Sequence, residues 1–232
     1  MFLYETHLHT FPVSRGAHSS VRENLEFYKD AGYAGVFITN HFLDGNINID
    51  HRLPYEERIQ FYFSDYEEAL RIGSEIGLSV FLGVELSYEG TDFLIYGLDK
   101  QWFLSHPEIM EMQKSDELKL MADSGALVLQ AHPFRAAHYI DHVRLYPARV
   151  HGVETYNGCN TELENTMAEQ YAKHYELIPF AGTDNHFAGG QERFGGMRTD
   201  SPITDVQDFI DRVKSGRAVP FRREMGGTDD NI

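Results

Sequence analysis

Residues 2–10 read FLYETHLHT. The stretch opens as an apolar run of strand length and ends on two histidines, His7 and His9, one residue apart. In an extended strand residues i and i+2 point the same way, so both imidazoles leave on one face where the strand ends. Further apolar runs of strand length lie at 34–39, 78–86, 92–98, 126–131, 149–156 and 177–183. Segments with helical spacing fall between them, at 21–31, 64–76, 107–124, 162–175 and 204–214. Gly32, Gly77 and Gly125 each sit just past a helical pattern, where a glycine ends a helix. Ser64, Thr161 and Thr204 are placed as N-caps, and Glu67 and Glu164 follow the first two at capping-box spacing.

Strand and helix in alternation imply parallel strands joined by crossovers. No G-x-G-x-x-G follows a strand and no Walker A sequence occurs, which favours a closed barrel over an open nucleotide-binding sheet. The expectation is an α/β chain with one barrel domain over 1–225 and a mobile polar tail at 226–232. The connections at 43–63 and 187–200 are long enough to expect functional loops.

Composition narrows the function. The chain has 232 residues, 42% of them hydrophobic, with a formal net charge of -16. That acidity, with no basic stripe, argues against long duplex nucleic acid but not against a small phosphate held by a local positive site. No run of about 18 apolar residues suggests a membrane span. The start, MFLYETHLHT, lacks the basic and apolar regions of a secretory signal, and Cys159 is the only cysteine, so a cytoplasmic location is expected.

The ligand-type residues fall at strand ends. His7 and His9 close the first strand, His41 follows the second, Glu85 ends the third, His132 follows the fifth, and Asp184 and His186 follow the seventh. In a barrel those ends converge on one face. Imidazoles and carboxylates gathered there repel or compete unless a positive charge holds them. Imidazole suits transition metals and a carboxylate can bridge two ions, so a cluster of divalent metals fits.

The pieces HLHT (7–10), ITNH (38–41), GVELS (83–87), AHPFR (131–135), ETYN (154–157) and GTDNH (182–186) together resemble the PHP family, the polymerase and histidinol phosphatase superfamily. The motifs run in family order over nearly the whole chain. The resemblance implies a distorted seven-stranded (βα)7 TIM-like barrel holding two or three divalent ions, typically zinc, manganese or iron. It implies that His7, His9, Glu85 and Asp184 hold one ion, Glu85 and His132 share a second, and His41 and His186 hold a third. The implied chemistry is phosphate ester hydrolysis, by a phosphatase or a phosphodiesterase, with metal-activated hydroxide attacking phosphorus in line with the leaving alcohol.

The sequence departs from the pattern in three places. Arg15 stands where an acidic or histidine ligand is common, with His18 three residues on as a substitute ligand or Arg15 itself as a phosphate contact. The fourth strand carries no histidine, leaving Asp92 as a ligand candidate while Leu94 occupies the equivalent position. Asn40 replaces an aspartate. Among arginines, Arg135 and Arg193 are the first candidates to grip substrate phosphate, ahead of Arg198 and Arg15. His186 is a proton donor to the leaving group if it is not a ligand. Tyr55, Phe61, Tyr62 and Phe63 are stacking candidates or, more simply, packing residues.

The expected substrate is a small phosphorylated molecule, histidinol phosphate and nucleotides included. Two other readings fit the same residues: an amidohydrolase-type C–N or lactone hydrolase, and a non-catalytic metal-binding module. Oligomeric state is not encoded in any feature of the sequence.

Overall fold

The seven apolar runs form strands β1 (Phe2–Leu8), β2 (Gly35–Ile38), β3 (Ser79–Tyr88), β4 (Thr91–Tyr96), β5 (Leu127–Ala131), β6 (Gly152–Asn157) and β7 (Ile178–Gly182). These come from a computed structural model that describes residues 1–224, 227 and 229–231. Strands β8 (Arg193–Thr199), β9 (Val219–Glu224) and β10 (Asp230–Asn231) follow. The helices are α1 (Val21–Asp30), α2 (Tyr55–Ile76), α3 (Lys100–Ser105), α4 (Lys114–Asp123), α5 (Glu162–Tyr175) and α6 (Val206–Lys214). No helix among the described residues is long and apolar enough to cross a membrane.

All ten strands join one sheet in the order β10-β9-β8-β1-β2-β3-β4-β5-β6-β7. The sheet curls until its β7 end meets β1. Beyond β7, the Asp184 N–H donates to the His7 carbonyl at 2.8 Å, and the His9 N–H donates to the Asn185 carbonyl at 3.0 Å. The result is a nearly closed barrel of the TIM-like kind, and the expectation of seven parallel strands needs two corrections.

First, β3 and β4 form a hairpin, so β4 runs antiparallel to both of its neighbours. Glu89 and Gly90 make the turn with φ of 49° and 79°, a two-residue turn with both φ values positive, which suits the twist of a hairpin. No helix fits between these strands, and the N-terminal end of β4 therefore reaches the same rim as the C-terminal ends of the others. Second, part of the expected 187–200 loop is β8, antiparallel to β1 and β9. Glycine weakens the strand signal, but here Gly196 lets the backbone pass against the Tyr4 carbonyl, where any Cβ would collide.

Helix boundaries shift for local reasons. Helix α2 starts at Tyr55 behind Pro54, so Ser64 lies inside it and donates its hydroxyl to the Phe61 carbonyl at 2.7 Å instead of capping. The expected 43–63 loop thus ends at residue 54. Asp205, not Thr204, caps α6 by accepting the Asp208 N–H at 2.9 Å. Thr161 and Glu164 form the expected capping box on α5, and Gly32, Gly77 and Gly125 all adopt positive φ. In the tail, Asp230–Asn231 pair with β9, and the remaining part of the expected mobile segment, at 226, 228 and 232, lies outside the described residues.

Below the rim the barrel is filled by rings. Phe37 is fully buried, with ring centroids 4.9 Å from Phe81, 5.3 Å from Tyr96 and 4.4 Å from Phe209. Tyr62 and Phe63 are buried and Tyr55 and Phe61 pack against the same apolar cluster, so this aromatic group packs rather than stacks on a ligand. Truncating a buried phenyl ring leaves a cavity that the surroundings fill only in part. Phe37→Ala is expected to lower the unfolding free energy by about 3–5 kcal/mol in denaturant titration.

Candidate metal centre

Seven side chains expected at the strand ends meet at one rim. His7 lies near the end of β1 and His9 just beyond it, Glu85 in β3, His41 after β2, His132 after β5, and Asp184 and His186 after β7. His7 Nε2 lies 3.0 Å from Glu85 Oε1 and 3.4 Å from Asp184 Oδ1. His9 Nε2 lies 3.3 Å from Glu85 Oε2 and 3.2 Å from Asp184 Oδ1. His41 Nδ1 approaches Glu85 Oε2 at 2.6 Å, and His132 Nε2 approaches Glu85 Oε1 at 3.3 Å. Three overlapping triads have donor atoms within 4.8 Å of one another: His7, His9 and Asp184; His7, Glu85 and His132; and His9, His41 and His186.

Of these approaches only His132 Nε2 to Glu85 Oε1, at 3.3 Å, has the geometry of a hydrogen bond. His7 Nε2, His9 Nε2, His41 Nδ1 and Glu85 Oε2 are buried and have no hydrogen-bond partner. Buried polar atoms are normally satisfied, so four such donor atoms converging on one volume fit a bound cation. Ligand atoms bonded to one ion at about 2.0–2.1 Å stand about 3.0–3.4 Å apart in octahedral or tetrahedral arrangements, a spacing that the approaches of His7 and His9 to Glu85 and Asp184 match and the 2.6 Å approach of His41 to Glu85 does not. The donor set of imidazoles and carboxylates fits divalent metal binding.

The other ring nitrogens are tied back. His7 Nδ1 faces Glu154 Oε1 at 3.0 Å, and His9 Nδ1 faces the Ser14 hydroxyl at 3.2 Å. Such contacts fix the ring and leave the opposite nitrogen for metal. Glu154, buried on β6, also accepts the His132 N–H at 3.0 Å and the Asn157 amide at 2.8 Å. Ser14 in turn donates to Asn40 Oδ1 at 2.9 Å, and Asn40 also accepts the Thr10 N–H at 2.7 Å. Asn40 therefore braces the first motif rather than joining the ligands. The sequence assigns neither Glu154 nor Ser14 these roles; the signals for Glu154 are its place in the ETYN piece and a carboxylate inside the buried run GVETYN.

Backbone and packing hold the geometry. Asp184 has φ 59° and His132 φ 22°, left-handed values that are uncommon outside glycine and concentrate at functional sites. A Cβ at Gly182 would stand 2.5 Å from the His7 Cβ and 2.8 Å from Glu154 Oε1, so only glycine lets β7 approach the first imidazole.

The electrostatics are polarised. Burial opposes charge on His7, but Asp184, Glu154 and Glu85 raise its pKa well above the ordinary value. Burial and the neighbouring His186 and His41 hold His9 well below. Burial raises a carboxyl, yet His7, His41 and His9 hold Glu85 well below the usual range, and His7, Arg135 and His9 do the same for Asp184.

A pocket of about 480 Å³ opens above the cluster. Arg135 lines it, with Nη2 2.6 Å from Asp184 Oδ2 and 3.0 Å from Asn157 Oδ1, and Nε 3.1 Å from Asn160 Oδ1. Asp92, at the start of antiparallel β4, also lines it, with Oδ2 3.8 Å from His132 Nε2. Leu94 is fully buried in the apolar core and offers no ligand.

The remaining candidates do not meet at this pocket. Arg193 points to another face, where its guanidinium donates to the Asn160 carbonyl and lies 3.8 Å from Glu162; pairing of β8 with β9 carries it there. Arg15 and His18 are exposed and outside the pocket lining, though their backbone N–H groups tie down Asn46 and His186 at 2.9 and 2.8 Å. Arg198 lies in β8, opposite Leu3 and Val219.

No family model matches the chain, and no curated protein matches it in sequence. Solved structures do resemble it. A two-domain protein of Bacteroides vulgatus, described as containing a PHP-like metal-dependent phosphoesterase, aligns over 94% of this chain with a TM-score of 0.65 and 13% identity. This chain spans 64% of that protein. A protein named for metal-dependent phosphoesterase activity, from Bifidobacterium adolescentis, aligns over 90% of this chain and 94% of its own, at TM-score 0.54 and 14% identity. An amidohydrolase of Chromobacterium violaceum, with bound sulfate and no metal, covers 93% of this chain and 97% of its own, at TM-score 0.54 and 13% identity. The chain shares its barrel fold with these three proteins.

Glu154→Gln is expected to weaken metal binding about 10–100-fold while circular dichroism stays unchanged. Asp184→Ala is expected to lower metal content, measured by elemental analysis of chelator-free protein, without unfolding the barrel. Unaltered metal content in Asp184→Ala would remove Asp184 from the ligand set.

Proposed function

We propose that the chain is a PHP-family phosphoesterase that hydrolyses a small phosphate ester at the rim of the barrel. The observation that carries this reading is the set of buried, unpartnered donor atoms of His7, His9, His41 and Glu85, of which His41 and Glu85 line the same pocket as Arg135. His7, His9, Glu85 and Asp184 would hold one divalent ion, Glu85 and His132 with Asp92 beside them a second, and His41 and His186 a third. When bound, such ions lower the pKa of water and neutralise charge on a phosphoryl group.

The chain's own residues supply orientation. Arg135 Nε and Nη2 are occupied by Asn160, Asn157 and Asp184, which fixes the guanidinium plane and leaves Nη1 without a partner among the described residues. That edge is available to a non-bridging phosphate oxygen through a charge-assisted hydrogen bond. His186 sits at the rim with its side chain 30% exposed and its Nδ1 held 3.1 Å from the Asp184 carbonyl, which leaves Nε2 for the third ion rather than for proton transfer to the leaving group. In a chain of net charge -16, a dianionic ester needs this local positive charge to bind at all.

The test uses metal-replete protein with p-nitrophenyl phosphate and bis-p-nitrophenyl phosphate, beside amide and lactone substrates. Turnover of a phosphate ester is expected, and Arg135→Ala is expected to lower kcat/KM about 10–100-fold, the loss of one charged hydrogen bond. The amidohydrolase among the structural relatives supplies the second reading. Amide or lactone turnover with no phosphate ester hydrolysis would favour it, and metal binding with no turnover of any substrate would favour the non-catalytic module.

A further inference from the structure

The pocket above the metal cluster is lined almost wholly by imidazoles, carboxylates, small polar groups, glycines and Arg135. Tyr139 is the exception. It is the one phenol ring lining the pocket among the described residues, and it is 63% exposed. A singly exposed aromatic on a surface needs no explanation. One held out over a polar pocket by an anchored loop does.

The loop after β5 is pinned on both sides of Tyr139. Before it, the Ala136 N–H donates to the Glu164 carboxylate at 2.7 Å. After it, Ile140 packs on Gly90 in the β3–β4 turn, and Arg144 binds the Glu89 carbonyl at 2.9 Å and its carboxylate at 2.6 Å. The Ile140 N–H closes a turn on the Ala137 carbonyl at 3.0 Å, which presents Tyr139 at its apex. The His138 ring stands edge-on to it, with centroids 5.3 Å apart and planes at 87°. One short segment, His132 to Tyr139, thus carries a candidate metal ligand, the Arg135 guanidinium and an exposed flat ring in sequence.

We infer that Tyr139 is a specificity residue that stacks on an aromatic or heteroaromatic ring in the alcohol part of the ester. This rests on the phosphoesterase reading above and names its substrate class. A ring held in place before binding loses little conformational freedom when it stacks, so the contact favours flat substrates over alkyl ones.

The experiment is calorimetric binding of two non-hydrolysable probes, phenylphosphonate and methylphosphonate, to the metal-loaded protein and to Tyr139→Ala and Tyr139→Phe. The wild type is expected to bind the phenyl compound about tenfold more tightly, in keeping with base–aromatic stacking. Tyr139→Ala is expected to bring the two affinities to about the same value, and Tyr139→Phe to keep the preference. Equal binding of both probes by the wild type, or a preference that survives in Tyr139→Ala, overturns the stacking role alone. Failure of both probes to bind the wild type overturns the phosphate reading and the stacking role with it. A proportional loss for both probes in Tyr139→Ala assigns Tyr139 to loop structure and also overturns the proposal.

Discussion

Glu85 is fully buried and faces four imidazoles, with its two oxygens between 2.6 and 3.3 Å from nitrogens of His7, His9, His41 and His132. Removing one carboxylate from water costs several kcal/mol unless charge returns to it. Protonating the histidines is one way to return it. The site allows that only in part, since His7 is raised by its three carboxylate neighbours while His9, pressed between His41 and His186, is lowered. A divalent ion resolves the conflict for all of them at once, because neutral imidazole and ionised carboxylate are the forms that ligate. The rest of the rim follows from holding these groups in place: Glu154 behind His7, Ser14 and Asn40 behind His9, and Arg135 behind Asp184.

The rim is stiffened from outside as well. Lys114 on α4 is nearly buried, 2.8 Å from Asp44 and 2.7 Å from Glu117. Asp44 lines the metal pocket and accepts the Ser87 N–H at 3.2 Å, so one ammonium ties a helix, the loop after β2 and the end of β3 together. Glu117 responds to this crowded setting: burial pushes its carboxyl up to about 7 despite the lysine beside it. The pocket wall is therefore part of the packed interior, and the pocket has a fixed shape on that side.

Much of this was legible in the sequence because it is local. Seven apolar runs bounded by turn residues became seven strands, and the ligands fell at their ends because a strand fixes where its last side chains go. What was missed is mostly long-range. Glu154 sits 147 positions from His7, and only the meeting of β1, β6 and β7 makes it a support for that ring. Arg193 stands in a glycine-rich stretch close to the ligands in sequence, but pairing with β9 turns it toward Glu162. The β3–β4 hairpin was available in the letters YEGT and was overridden by the expectation of strand–helix alternation. Its consequence for the site is direct: a strand entering in reverse brings Asp92, not Leu94, to the rim.

The closure of β7 onto β1 has a consequence for the order of assembly. The Thr183 N–H donates to Glu5 across 178 positions of chain, and the same junction sets Asp184 beside His7 and His9. Contacts this distant in sequence carry a large loop-closure entropy and form late in folding. A chain still emerging from the ribosome holds His7, His9, His41 and Glu85 long before it holds Asp184, and lacks the full coordination set until β7 docks on β1. The triad of His7, His9 and Asp184 is assembled only by that docking, and an ion held there would stabilise the closed barrel by mass action.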